Sequence, residues 1–183
     1  RIVAPMIESG FAMSKYMTML PADGFDHIGV TIETRHAVER IEELLDAGSR
    51  LTELTVGRTD LTASFGGRGV DSRETIEMVK TVARAGAKRG LQTTMGGSVG
   101  VGTRELLEAD DELRELVVCV ETRKCVMSVA DFLDEASLTD AFAVEAALLE
   151  LQSAYHGDLA DAAAAHARME SNAHIGKIVL RVA

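Results

Sequence analysis

Residues 28–66, IGVTIETRHAVERIEELLDAGSRLTELTVGRTDLTASFG, decide the reading of this chain. Ile28 to Ile32 is a largely β-branched, apolar run that reads as a strand. After it the apolar positions become Ala37, Val38, Ile41, Leu44 and Leu45, which is helical spacing. A second strand-like run, Leu54 to Val56, leads into Gly57-Arg58-Thr59-Asp60-Leu61. The order is therefore strand, acid, helix, strand, acid. In a parallel sheet with helical crossovers, successive strand ends share one rim. Topology would thus bring Glu33 and Asp60 together although they stand 27 positions apart. Two carboxylates with room for water and substrate suit a magnesium-like ion, which takes only one or two protein carboxylates.

These motifs resemble a known family. I-E-T-x-x-A-V followed by G-x-T-D-L-T-x-S-F-G is similar to the metal-binding half of the HpcH/HpaI aldolase and citrate lyase beta-chain superfamily. Its members are divalent-metal-dependent carbon–carbon lyases on a (β/α)8 TIM barrel. The resemblance runs from about Arg1 to about Leu151 and implies Glu33 and Asp60 as ligands of Mg2+ or Mn2+. The opening stretch, RIVAPMIESG, resembles the family's P-M-x-E-S strand, which implies Glu8 near the metal or its waters. A Glu that caps or solvates a turn is the plainer reading of Glu8.

Outward from these motifs, the pattern repeats. FAMSKYMTML places Phe11, Tyr16, Met19 and Leu20 at helical spacing before Pro21 breaks the chain. After Gly66-Gly67, Asp71 or Ser72 is placed to cap a helix, Glu74 to complete a capping box, and Ile76, Val79, Val82 and Ala83 to form one apolar face. A strand from Leu91 to Met95 opens into Gly96-Gly97-Ser98-Val99-Gly100, whose bare amides suit an anionic substrate group or make an ordinary strand-to-helix turn. The loop fits neither nucleotide-binding glycine pattern. Thr103 is a candidate cap for a helix burying Leu106, Leu107 and Leu113, and Leu116 to Val120 reads as another strand, ending at Glu121-Thr122-Arg123-Lys124. Four of five visible strands thus end in IES, IET, TD or VET, at a period of roughly 25–40 residues that suits strand-helix units.

Beyond the strands, Ser128 begins a short helix and Ser137 caps a longer one, with Phe142, Val144, Ala147, Leu148 and Leu151 available for burial. An Ala-rich helix follows from about Asp158 to Glu170. The last residues, AHARMESNAHIGKIVLRVA, resemble instead the closing helix and strand of quinone-reductase-like medium-chain dehydrogenases, with no catalytic residue among them. We therefore expect residues 1–135 to form part of a (β/α)8 barrel and residues 136–183 a helical extension with a short terminal strand. A TIM barrel needs eight units and typically about 250 residues. Five are visible and Arg1 falls inside a strand, so the first three units are expected to be missing, together with the arginine they supply in the family to bind the substrate carboxylate.

Composition bounds the function. A net charge of −10 argues against a nucleic-acid footprint, and no apolar run approaches the length of a membrane helix. With no signal-peptide pattern, the chain reads as soluble and cytoplasmic. Cys119 and Cys125 lack the spacing of a zinc or redox pair and read as free thiols. The implied reaction is retro-aldol or Claisen-type cleavage of a 2-oxo acid through a metal-stabilised enolate, with Glu8 and Arg58 as catalytic candidates. The substrate would lie against Gly57, Thr59, Gly96, Gly97, Ser98 and Glu121. A solvated or salt-bridged arginine is the simpler view of both Arg58 and Arg123. His36 is either an outer neighbour of the metal or a surface helix residue, His27 belongs to the opposite rim, and His166 and His174 are too far apart for a helical zinc pair. A CoA-thioester lyase acting on an acyl-CoA and a non-catalytic barrel serving as a binding or assembly partner remain alternatives. The family's C-terminal helices imply a homo-oligomer.

Overall fold

A computed structural model describes residues 1–122 and 125–155. The chain divides into two compact units, Arg1–Leu138 and Thr139–Ala183. The first begins with β1 (Ile2–Ala4), α1 (Gly10–Met19), β2 (Ile28–Ile32), α2 (Arg35–Glu39), α3 (Ile41–Ala47), β3 (Glu53–Gly57) and α4 (Arg58–Ser64). It continues with α5 (Arg73–Ala87), β4 (Gln92–Gly96), α6 (Val101–Ala109), α7 (Asp111–Leu116), β5 (Cys119–Glu121), β6 (Val126–Ser128) and α8 (Val129–Leu133). A last helix, α9, spans Glu135–Tyr155.

The strands form one open six-stranded sheet in chain order, parallel from β1 to β5, with β6 antiparallel to β5. Because side chains alternate along a strand, Ile28, Val30, Ile32, Leu54, Val56, Met95 and Val120 take one face. They are buried, together with Leu44 from α3, Val79 and Val82 from α5, and Leu113 from α7. The opposite face carries layered rows set by register: Gly29, Glu53 and Gln92, then Thr31, Thr55 and Thr94, then Gly57, Gly96 and Glu121. Flat, β1 and β5 would stand about 19 Å apart. Yet Arg1 Nη2 comes within 3.7 Å of Glu121 Oε2, so the sheet curls with the polar rows inside. This is an α/β fold with an open sheet, consistent with the part of a TIM-like barrel expected from the sequence.

Several local expectations need correction. The single helix after β2 is two, parted at Arg40, whose ψ of 18° leaves the helical range. In α1 the buried residues are Met13 and Met17, one turn apart, while Phe11 and Met19 are 74% and 82% exposed. Leu116 ends α7, so the expected fifth strand begins three residues later, and β6 was not anticipated. Leu107 and Leu113, both buried, belong to different helices. Ser72 caps α5, whereas Glu74 pairs with Arg35 instead of closing a capping box. Thr103 lies three residues inside α6 and accepts a bond from the Gly100 N–H at the cap position. Ser128 caps α8 as expected. At α9 the Asp134 carboxylate accepts the Ser137 N–H at 2.9 Å, so Asp134 takes the capping role expected of Ser137.

In the second unit, Phe142, Val144 and Leu148 are 43%, 55% and 41% exposed, and Ala147 is also exposed, against the expected burial. Helical spacing shows where an apolar face lies but not whether anything covers it. The burial of Leu151, the Ala-rich helix from Asp158, the terminal strand, Arg123, His166 and His174 all lie outside the described residues. No helix among the described residues is long and apolar enough to cross a membrane.

Candidate functional site

Glu33 is the first residue beyond β2, and Asp60 is the third residue of α4, directly after β3. Gly57, at the end of β3, makes room for the first of them. A Cβ there would stand 2.8 Å from Glu33 Cγ and 3.0 Å from its Oε1, so the Glu33 side chain occupies the space a larger residue would fill. Glu33 Oε2 accepts the Met6 N–H at 3.2 Å, from a residue held at φ 57° in the loop after β1. Burial raises the proton affinity of Glu33 above the ordinary carboxylate range, the Met6 N–H opposes this, and the nearby Asp60 charge adds to it. Two acids therefore repel across the rim. Among the described residues no cation pairs with either.

Glu8 takes a different partner. Its Oε1 accepts the Thr34 hydroxyl at 2.5 Å, and Thr34 in turn caps α2 by accepting the Ala37 N–H at 3.2 Å. Glu8 thus braces the segment that carries Glu33. No cluster of three or more His, Cys, Asp and Glu groups suited to a metal forms among the described residues. Two carboxylates without a third ligand or a cation fit a hard ion that keeps waters and takes substrate oxygens, and do not fit a closed zinc site.

Arg58 is not the solvated arginine considered from the sequence. It is fully buried. Its Nε donates to the Gly96 carbonyl at 3.0 Å, and Nη2 donates to the Gly97 carbonyl at 3.0 Å and to Thr103 Oγ1 at 3.1 Å. Nη1 pairs with Asp71, the salt bridge the sequence left open. Burial lowers the guanidinium's proton affinity, and Asp71 works against that shift. Above it, Gly97 has φ +81°, and a Cβ there would lie 2.5 Å from Thr59 N and 2.7 Å from Arg58 N. The loop after β4 therefore rests directly on the start of α4. The Thr59 and Ser98 hydroxyls, both exposed, hydrogen-bond at 3.1 Å.

On the curled face, Gly96 lies beside Glu121, whose Cβ would be 3.6 Å from a Cβ at 96. Glu121 also faces Arg1 at 3.7 Å. His36 is exposed on α2, with Nε2 3.4 Å from Arg40 Nη1, and His27 is 3.7 Å from Glu53 at the opposite strand ends. Sequence reasoning missed Met6 and the tertiary roles of Asp71 and Thr103. The only local sign was that Asp71 and Thr103 are residue types able to bond backbone or arginine groups.

No family model matches this sequence. No curated protein matches it either. Among solved structures, RipC from Yersinia pestis is similar at TM-score 0.52 and 19% identity, over 62% of this chain and 53% of RipC. The citrate synthase SbnG is similar at TM-score 0.51 and 10% identity, over 83% of this chain and 63% of SbnG. An HpcH/HpaI aldolase from Desulfitobacterium hafniense gives TM-score 0.48 and 16% identity, over 61% of this chain and 53% of that one. The chain thus spans 53–63% of the length of these structures. At these identities the likeness to RipC and SbnG is one of fold.

Proposed function

We propose that this chain carries the metal-holding rim of a divalent-metal-dependent carbon–carbon lyase that cleaves or forms a bond beside the carbonyl of a 2-oxo acid. The observation that supports this reading most is the Glu33 carboxylate laid over Gly57, beside Asp60 and without a cation among the described residues. Glu33 and Asp60 would hold Mg2+ or Mn2+. Such an ion supplies positive charge where an enolate oxygen develops and orients the oxygens that bear it.

The chain's own groups then have separate tasks. Glu33 is half-buried and Asp60 exposed, so an ion held by the pair would keep open positions for water and substrate oxygens. The exposed Thr59 and Ser98 hydroxyls are held to each other between the start of α4 and the loop after β4, which leaves one of their two protons to donate to the substrate carboxylate. Glu8, through Thr34, holds the segment on which Glu33 is mounted. Gly57 makes room for the Glu33 side chain at the rim.

The test is solvent exchange of the pyruvate methyl protons, followed by proton NMR in D2O with and without Mg2+. The reading expects Mg2+-dependent exchange that Asp60→Asn abolishes. Equal rates for the folded protein and its variant would reject it.

A further inference from the structure

Arg58 and Asp71 do more for the rim than fill space beneath it. Arg58 opens α4, two residues before Asp60, and its guanidinium reaches the carbonyls of both Gly96 and Gly97. Asp71, preceding α5, receives Nη1 of the same fork, and Thr103 of α6 receives Nη2. One planar group thus joins four segments: the start of α4, the loop after β4, the approach to α5, and α6. Such a fork fixes both distance and plane, which a lysine cannot. The loop it holds takes left-handed backbone at two successive residues, Gly97 at φ +81°, which glycine adopts freely, and Ser98 at φ 51°, which costs a non-glycine residue. Conformations of this kind persist only when their surroundings over-determine them. Thr59 and Ser98, whose hydroxyls meet at 3.1 Å, lie on the two segments that Arg58 ties together.

We propose that Arg58 and Asp71 form a positioning latch that holds the Gly96–Ser98 loop against the start of α4, so that Ser98 and Asp60 address the same ligand. Neither latch residue touches that ligand. The proposal rests on the lyase reading for the identity of the ligand, and on the geometry alone for the latch.

The experiment uses the whole chain, with Mg2+ and oxalate as probes. Asp71→Ala is expected to speed amide hydrogen exchange at Gly97 and Ser98 by about tenfold or more, with exchange in β2 and α5 unchanged. It is expected to weaken Mg2+-dependent oxalate binding by about tenfold while Mg2+ affinity stays within about threefold. Asp71→Asn keeps an acceptor for Nη1 and should restore a large part of both effects. Thr103→Val removes the bonds that Thr103 Oγ1 makes with Arg58 Nη2, the Gly100 N–H and Asp71 and leaves the ion pair, so it serves if Asp71→Ala fails to fold, with the same pattern in smaller measure.

Unchanged exchange at Gly97 and Ser98 in the folded variants would overturn the latch. Faster exchange with unaltered oxalate affinity would overturn its positioning role. If the unaltered protein binds neither Mg2+ nor oxalate, the lyase reading fails, and the latch is then decided by the exchange result alone.

Discussion

Gly57→Ala isolates the claim that Glu33 is a metal ligand. Gly57 has φ −85° and ψ 85°, outside the left-handed region, so alanine meets no backbone strain there. The collision is with the Glu33 side chain, 2.8 Å away at Cγ, and Thr31 Cγ2 at 3.3 Å is a tight contact that must give by a few tenths of an ångström. Carbon atoms pack at about 3.5–4.0 Å, so Glu33 must move by roughly 1 Å. Glu33 is only half-buried and can rotate, which puts the stability loss at the low end of overpacking, about 1 kcal/mol. For a chain of this length that is a Tm drop of about 2–4 °C. Metal affinity should suffer far more, because a displaced ligand costs about 10–100-fold. The assay pairs thermal unfolding with calorimetric titration of Mg2+ in the presence of oxalate. A folded Gly57→Ala protein that binds both as tightly as the parent would refute the placement of Glu33.

Other variants probe the same account. Glu33 has a folded-state proton affinity raised above its ordinary value of 4.5, so its contribution to stability is present below that value and lost as pH rises through the folded one. Burial is the main cause of that shift and the Asp60 charge the least, so without metal Asp60→Asn relieves a small part of the loss, and its Tm should exceed the parent's by about 1 °C at most at neutral pH, with the gap closing toward about pH 4. Gly97→Ala places a Cβ 2.5 Å from the Thr59 backbone N at φ +81°, and unfolding measurements should show a loss of at least about 2 kcal/mol. Lys80 is buried on α5, 2.6 Å from Asp110 and 3.2 Å from Glu112 at the start of α7. Lys80 holds Asp110 below its ordinary 3.8, while Arg84 first and then Lys80 hold Glu112 below 4.5. That stability is present above these values and lost as pH falls through the folded ones. Lys80→Met should therefore lower Tm at pH 7, with the deficit shrinking below about pH 4 in a pH series of melts.

Local pattern and tertiary contact divide what the sequence reveals. β2 was legible to its ends because five consecutive residues, Ile28–Ile32, carry a strand pattern on their own. α5 was legible because Ile76, Val79 and Val82 repeat at helical spacing, and all three are buried. That Glu33 and Asp60 follow the ends of two neighbouring parallel strands was legible from topology alone. β6 escaped because three residues hold no period, and its existence depends on pairing with β5. Of the apolar positions at helical spacing in and after α1, Leu20 is buried and Tyr16 packs against the core, whereas Phe11 and Met19 are exposed and Met13 and Met17 fill the interior instead. Arg58 escaped for a stronger reason. An arginine in sequence reads as surface, and its burial depends on Asp71, Gly96, Gly97 and Thr103, which lie 13 to 45 positions away.

The most direct test of the central claim is calorimetric titration of Mg2+ and of oxalate into the protein, into Glu33→Gln and into Asp60→Asn, each checked for fold by circular dichroism. The account predicts that oxalate binds only with Mg2+ present and that both folded variants lose this binding. Retention of Mg2+-dependent oxalate binding in either variant, or its absence from the intact folded protein, would contradict the assignment of Glu33 and Asp60 as the metal-holding pair.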